Sequence, residues 1–113
     1  MHRDYSIERY RMRDGKIPFT DWIEKMNRKD PYVAFRILMR LDRAEKGNFG
    51  DYRYLRDGVW EMRIDSGPGY RIYFAVENRC VVLLLVGGDK KTQQADIRRA
   101  IAFWNDHQSK GER

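Results

Sequence analysis

Seven consecutive apolar residues, Cys80-Val81-Val82-Leu83-Leu84-Leu85-Val86, constrain this chain more than any other segment. A run of that length is strand-sized, and being apolar on both faces it belongs in the middle of a sheet. Cys80, at its edge, reads as a buried strand residue rather than a nucleophile. Gly87-Gly88 reads as the point where the strand ends.

Other strands flank it. Residues 59–64 place Trp60, Met62 and Ile64 on one face and Val59, Glu61 and Arg63 on the other. Residues 70–76 divide Tyr70, Ile72, Phe74 and Val76 from Arg71, Tyr73 and Ala75 in the same way. Between them, Asp65-Ser66-Gly67-Pro68-Gly69 is a loop. A short strand over 52–55 precedes the Arg56-Asp57-Gly58 turn, and the irregular alternation in 4–12 suits an edge strand.

Helical periodicity occupies the rest. After Pro18, the residues Phe19, Trp22, Ile23 and Met26 form one stripe. Asp30-Pro31 then caps and starts a second helix, with Ala34, Ile37, Leu38, Leu41 and Ala44 inward and Gly47 as its stop. Thr92 can cap a last helix striped by Ile97, Ala100, Ile101 and Trp104, with the charged residues after Asn105 as a fraying tail. The order β-α-α-β-β-β-β-α predicts an α+β fold. An antiparallel sheet of four to five strands packs against an N-terminal helical hairpin and a C-terminal helix.

The 113 residues make one domain, 1–113, and the apolar content of 42% is enough for a core. No apolar stretch has the length of a membrane span, and the N-terminus lacks a signal-peptide core, so a cytoplasmic setting is expected. Lys and Arg number 23 against 17 Asp and Glu, a net charge of +6, which suits a polyanionic partner such as nucleic acid. The positives are scattered, so only folding can gather them.

Closing the 59–64/70–76 hairpin with Ile64 opposite Tyr70 sets Arg63 against Arg71 and Glu61 against Tyr73. Like charges directly opposed destabilise a sheet pair by up to about 1 kcal/mol. Two arginines kept there are either well solvated or arranged around an anion. Arg53, Lys90 and Lys91 can border the same surface. The plain alternative is a solvated face on which Glu61 pairs with one arginine. His2 and His107 lie at the two ends, which leaves no histidine triad or metal cluster, and no metal or organic cofactor is expected. Neither glycine cluster has phosphate-loop spacing. Trp22, Trp60 and Trp104 fall on apolar stripes and read as core, while Tyr52, Tyr54 and Tyr73 are the aromatics expected at the surface.

Four segments together carry a resemblance. They are Gly47-Asn48-Phe49-Gly50-Asp51, Gly58-Val59-Trp60-Glu61-Met62-Arg63-Ile64, Gly67-Pro68-Gly69-Tyr70-Arg71-Ile72-Tyr73-Phe74, and Leu83-Leu84-Leu85-Val86-Gly87-Gly88-Asp89-Lys90-Lys91-Thr92-Gln93. With the Pro18-Phe19-x-x-Trp22 helix, they resemble the HigB-like addiction module killer branch of the RelE/ParE toxin superfamily over nearly the whole chain. The resemblance implies the toxin of a type II toxin–antitoxin system: a metal-independent, ribosome-dependent endoribonuclease (mRNA interferase) that arrests translation and growth. It implies a helix-turn-helix antitoxin as partner, the ribosome and mRNA as targets, and indirect contact with operator DNA through the antitoxin complex. A ParE-like toxin that inhibits DNA gyrase by binding is the alternative, and a repurposed member that only binds its antitoxin is a third.

By position, Arg71 matches the arginine that stabilises the transition state, Arg63 a basic residue on the preceding strand, and Lys90 and Lys91 the region that supplies catalytic groups. The position aligned with RelE's last-helix tyrosine is Arg98, and where other relatives carry a histidine this chain has Asp89-Lys90. Transfer to a 2′,3′-cyclic phosphate needs a base for the 2′-hydroxyl, cations for the phosphorane and an acid for the leaving oxygen. Arginine is too weak an acid for proton transfer, so Arg63 and Arg71 suit charge stabilisation. Lys90 or Lys91 suits the acid or base, since neighbouring cations ease proton loss from a lysine. Glu61 is either the base or an ion-pair partner of the arginines. The expected catalytic set is therefore Arg71, Arg63, Lys90 and Glu61, with Arg53, Lys91, Arg98 and Tyr73 as RNA-binding residues.

Overall fold

The computed structural model describes residues 4–111, so the expectation for His2 lies outside the described residues. The elements are β1 (Ser6–Arg9), α1 (Pro18–Lys29), α2 (Pro31–Glu45), β2 (Tyr52–Arg56), β3 (Val59–Ile64), β4 (Tyr70–Glu77), β5 (Val81–Asp89), a short 3-10 turn (Lys90–Thr92) and α3 (Gln93–Gly111). This is the expected α+β order. The five strands form one sheet in the order β1-β5-β4-β3-β2. Strands β2 to β5 are mutually antiparallel, while β1 joins the edge of β5 in parallel, which makes the sheet mixed. A parallel partner is natural here, because the helical hairpin and three strands intervene between the two.

Helices α1 and α2 cover one face of the sheet. Phe19, Ile23 and Met26 from α1 and Ala34, Ile37, Leu41 and Ala44 from α2 pack on Met62, Ile64, Ile72, Phe74, Val82 and Leu84. Asp30 divides the two helices. Its N–H donates to the Met26 carbonyl at 2.7 Å to end α1, and its Oδ1 accepts from the Val33 amide at 3.3 Å to cap α2. Leu38 departs from the expected stripe: it is 41% exposed, one step round the helix from Ile37. It joins Tyr32, Phe35 and Met39 on the outer face of α2.

Helix α3 covers the other face, where Ile97, Ala100 and Trp104 pack on Val59, Tyr73, Ala75, Leu83 and Leu85. Strands β4 and β5 are thereby buried on both sides, as the apolar run demands. From Asp106 to Gly111 the chain does not fray as expected. It stays helical because Asp106 accepts from the Tyr10 hydroxyl and Arg13, while Lys110 donates to the Arg11 carbonyl at 2.6 Å.

Two boundaries shift. Cys80 is exposed rather than buried, because the chain reverses just before β5 through Asn78 and Arg79, both at positive φ. Gly87 and Gly88 do not end β5; they pair with Ile72 and Arg71, and Asp89 pairs with Tyr70. Their role is clearance. A Cβ on Gly87 would collide with the Trp22 indole, and one on Gly88 with the Asp96 carboxylate. Asp89 caps the turn that follows, accepting from the amides of Lys91 at 2.9 Å and Thr92 at 3.3 Å, while Thr92, expected to cap the last helix, immediately precedes α3 and donates its hydroxyl to the Asp96 carboxylate. Trp104 lies in the core, whereas Trp22 and Trp60 are half-buried at its margins.

Candidate functional site

The β3–β4 hairpin has the expected register: Ile64 opposite Tyr70, Arg63 opposite Arg71, Glu61 opposite Tyr73. Because β5 runs on to Asp89, Lys90 arrives at the hairpin loop, and its amide donates to the Gly69 carbonyl at 3.1 Å. Loop 65–69 folds back on itself, with the Gly69 amide donating to the Ser66 carbonyl at 2.9 Å and positive φ at Gly67 and Gly69. Together these segments enclose a cleft of about 420 Å³ whose walls carry Arg63, Arg71, Lys90, Asp51 and Asp65.

Each arginine is held by a carboxylate. The Arg71 side chain is only 11% exposed, and its Nε lies 3.3 Å from Glu61 Oε2, an ion pair without hydrogen-bond alignment. A Cβ on Gly69 would lie 3.9 Å from Arg71 Nη1, so the terminal end of the guanidinium reaches the loop that walls the cleft. Arg63 is 43% exposed, with its Nε 3.3 Å from Asp51 Oδ2. Arg40 of α2 secures this corner from behind, donating to the carbonyls of Arg63 at 2.6 Å and Phe49 at 2.9 Å. Burial lowers the Arg40 pKa from its ordinary value, and the nearby Asp51 carboxylate opposes that shift.

Glu61 does not face the cleft as a free base. It is fully buried where the start of α3 crosses the sheet. Its Oε1 accepts from Arg53 Nε at 3.1 Å and its Oε2 from Gln93 Nε2 at 2.9 Å, with Arg71 beside it. A carboxylate so enclosed is stabilised by the paired guanidiniums and has no open side for a hydroxyl proton. Tyr73, expected to touch RNA, is also fully buried. Its hydroxyl has no hydrogen-bond partner, and burial, followed by the nearby Glu61 charge, raises its pKa. Both corrections share one cause: α3 roofs over the part of this face that alternation alone left open to solvent.

The remaining residues divide. Lys90 and Lys91 are exposed, and neither forms a salt bridge among the described residues. Arg53 is half-exposed on β2, tied to Glu61 rather than to the cleft. Arg98 is exposed on α3 and lies outside the cleft. Tyr52 and Tyr54 are exposed, as expected. Sequence reasoning missed Asp51, Arg40 and Gln93. Asp51 and Gln93 lie within the segments that carried the resemblance, but Arg40 left no signal beyond a charge beside an apolar stripe.

A family model described as phage derived protein Gp49-like (DUF891) matches residues 21–102, from α1 into α3, including every residue of the cleft. The chain belongs to the Gp49-like family. That family is associated with toxin–antitoxin systems. An uncharacterized protein of Haemophilus influenzae is 43% identical over 84 residues, covering 74% of this chain and 83% of its own. The Gp49-like match accounts for both helical layers and for strands β2 to β5, so the cleft and its α3 roof are features of the matched region. Among the described residues, no helix of this Gp49-like protein is long and apolar enough to cross a membrane.

Proposed function

We propose that this Gp49-like protein is a HigB-like toxin of a type II toxin–antitoxin system, a cytoplasmic endoribonuclease that cuts mRNA on the ribosome. The observation that carries this reading is the cross-strand Arg63–Arg71 pair at a cleft that Lys90 also enters. Asp51 and Glu61 engage the two arginines through Nε, and a phosphodiester suits the remaining N–H donors of the guanidiniums.

In the proposed reaction the RNA 2′-oxygen attacks the adjacent phosphorus, the P–O5′ bond breaks, and a 2′,3′-cyclic phosphate forms. Arg71 and Arg63 offset the charge that grows on the phosphorane, the kind of preorganised donor whose removal costs about a hundred- to a thousand-fold in rate. The Lys90 ammonium supplies a proton to the leaving 5′-oxygen. With Glu61 enclosed, the 2′-hydroxyl proton passes to solvent or to a non-bridging phosphoryl oxygen. Glu61 is a positioning residue that orients Arg71.

The proposed partner is a helix-turn-helix antitoxin, which links the complex to operator DNA. Support comes from the outer face of α2, where Tyr32, Phe35, Leu38 and Met39 are exposed beside Arg36 and Arg43, a surface suited to an apolar, acidic helix. That same face favours a second reading, in which the chain binds gyrase as a ParE-like toxin and cuts nothing. Primer extension on mRNA after induced expression separates the two. Shortened transcripts that Arg71→Ala restores support the ribonuclease; growth arrest with intact transcripts and inhibited gyrase overturns it.

A further inference from the structure

Beyond the cleft, on the far side of Tyr70, lies a second depression of about 270 Å³ between α1 and α3, continuous with a third of about 390 Å³. Tyr70 walls both the cleft and the second depression, while Trp22, Lys25 and Arg99 wall the second and the third. The second and third hollows therefore share their walls as one groove, and Tyr70 stands between that groove and the cleft.

The chemistry along these walls repeats that of a single-stranded nucleic-acid groove. Lys25 and Lys29 border it one helical turn apart on α1, about 6 Å along the axis, close to the repeat of phosphates in an extended strand. Lys16 continues the row at the far end. Among the described residues none of these three lysines forms a salt bridge, and all are exposed. Arg99 pairs with Asp96 at 3.6 Å, Asp96 is buried and bonded to Thr92, and Asp89 is engaged in capping. Of the acids lining the two outer hollows, only Asp21 stands exposed.

Trp22 sits between the two outer hollows and faces both. Its indole lies against the backbone of Gly87, a position only glycine leaves open, so the ring is fixed at the surface instead of turned wholly into the core. An aromatic so placed between cations is the recurring device for stacking an unpaired base, which has a π-face whatever its identity.

We propose that this α1–α3 groove binds the single-stranded RNA flanking the bond held in the cleft, with Lys25 and Lys29 on phosphates and Trp22 against a base. The inference rests on the ribonuclease reading and extends it by several nucleotides of footprint. The groove's place next to the cleft, with only Tyr70 between them, and the Trp22 ring among its cations favour an RNA strand over an acidic peptide.

The test uses the full chain and 2′-O-methyl oligoribonucleotides, which lack the attacking hydroxyl and stay intact, in four- and twelve-nucleotide lengths. The twelve-mer should bind more tightly than the four-mer. Lys25→Ala/Lys29→Ala, two exposed positions that leave the core intact, should weaken the twelve-mer about ten-fold and spare the four-mer. The salt slope for the twelve-mer should fall by about 1.4, from roughly 0.7 per phosphate contact on a single strand. Quenching of tryptophan emission by the twelve-mer should disappear in Trp22→Phe. Equal affinity for the two lengths, or a twelve-mer indifferent to the lysine pair, overturns the groove while transcript cleavage in cells leaves the ribonuclease reading standing. Tighter binding of a polyglutamate peptide than of RNA overturns it in favour of a protein ligand. Failure of both oligomers to bind, together with intact transcripts on induction, overturns groove and ribonuclease alike.

Discussion

Arg63 stands directly across the β3–β4 ladder from Arg71, and each guanidinium is steadied from its own side, by Asp51 and Glu61 respectively. The two arginines nevertheless differ in depth. Arg71 is nearly enclosed and Arg63 nearly half exposed, so replacing them should give separable results.

Arg63→Ala should abolish transcript cleavage with little loss of stability, because an exposed ion pair contributes no more than about 1 kcal/mol. Arg71→Ala should also abolish cleavage, but it strips a partner from a buried carboxylate and should cost about 3 kcal/mol. Urea denaturation of both variants beside primer extension checks the pairing. Equal stability losses would contradict the difference in burial.

Glu61→Gln distinguishes an anchor from a general base. As an anchor, the neutral amide leaves Arg53 and Arg71 side by side without their shared counter-charge, and the thermal midpoint should drop by about 10 °C, corresponding to about 2–3 kcal/mol. A general base would lose activity at an unchanged midpoint, which scanning calorimetry with a cleavage assay would reveal.

Tyr73→Phe removes a buried hydroxyl that has no hydrogen-bond partner. Stability should hold or rise by about 1 kcal/mol, since an unsatisfied buried polar group is a net cost. RNA binding should not change. Weakened RNA binding by this variant would restore Tyr73 to the interface.

Asp106 contributes to the acid limb of stability. The Tyr10 hydroxyl bond, aided by Lys110 and Arg13, lowers its pKa from 3.8 to about 2. A carboxylate whose folded pKa is depressed contributes stability above its unfolded pKa, and that contribution is lost as pH falls through the folded value. The thermal midpoint of the parent should therefore decline between pH 4 and 2 more steeply than that of Asp106→Asn. Parallel curves over that window would remove Asp106 from the account.

Much of this was legible in the amino-acid order, and the failures have physical reasons. The hairpin register could be read because a five-residue loop and two apolar faces leave little choice of pairing. Alternation also placed Glu61, Tyr73 and Arg71 on one face correctly. It could not say that α3 would cross that face halfway along, burying Glu61 and Tyr73 while leaving Arg63 outside. Gly87-Gly88 misled because glycine signals both a turn and a close approach, and only the partner side chains, Trp22 and Asp96, decide between them. Arg40 was invisible for a related reason: its acceptors are backbone carbonyls, which every residue possesses.

Strand β5, by carrying its ladder through two glycines to Asp89, delivers Lys90 to the same seam that holds the two arginines. Two adjacent strands and the turn that follows the third thus contribute one cation each to the same end of the sheet. The backbone spacing of the two arginines is set by the ladder and cannot change without unzipping the sheet's end. On the proposed reading, an antitoxin that silences a cleft hung on such a rigid ladder acts as a stopper rather than by changing its shape.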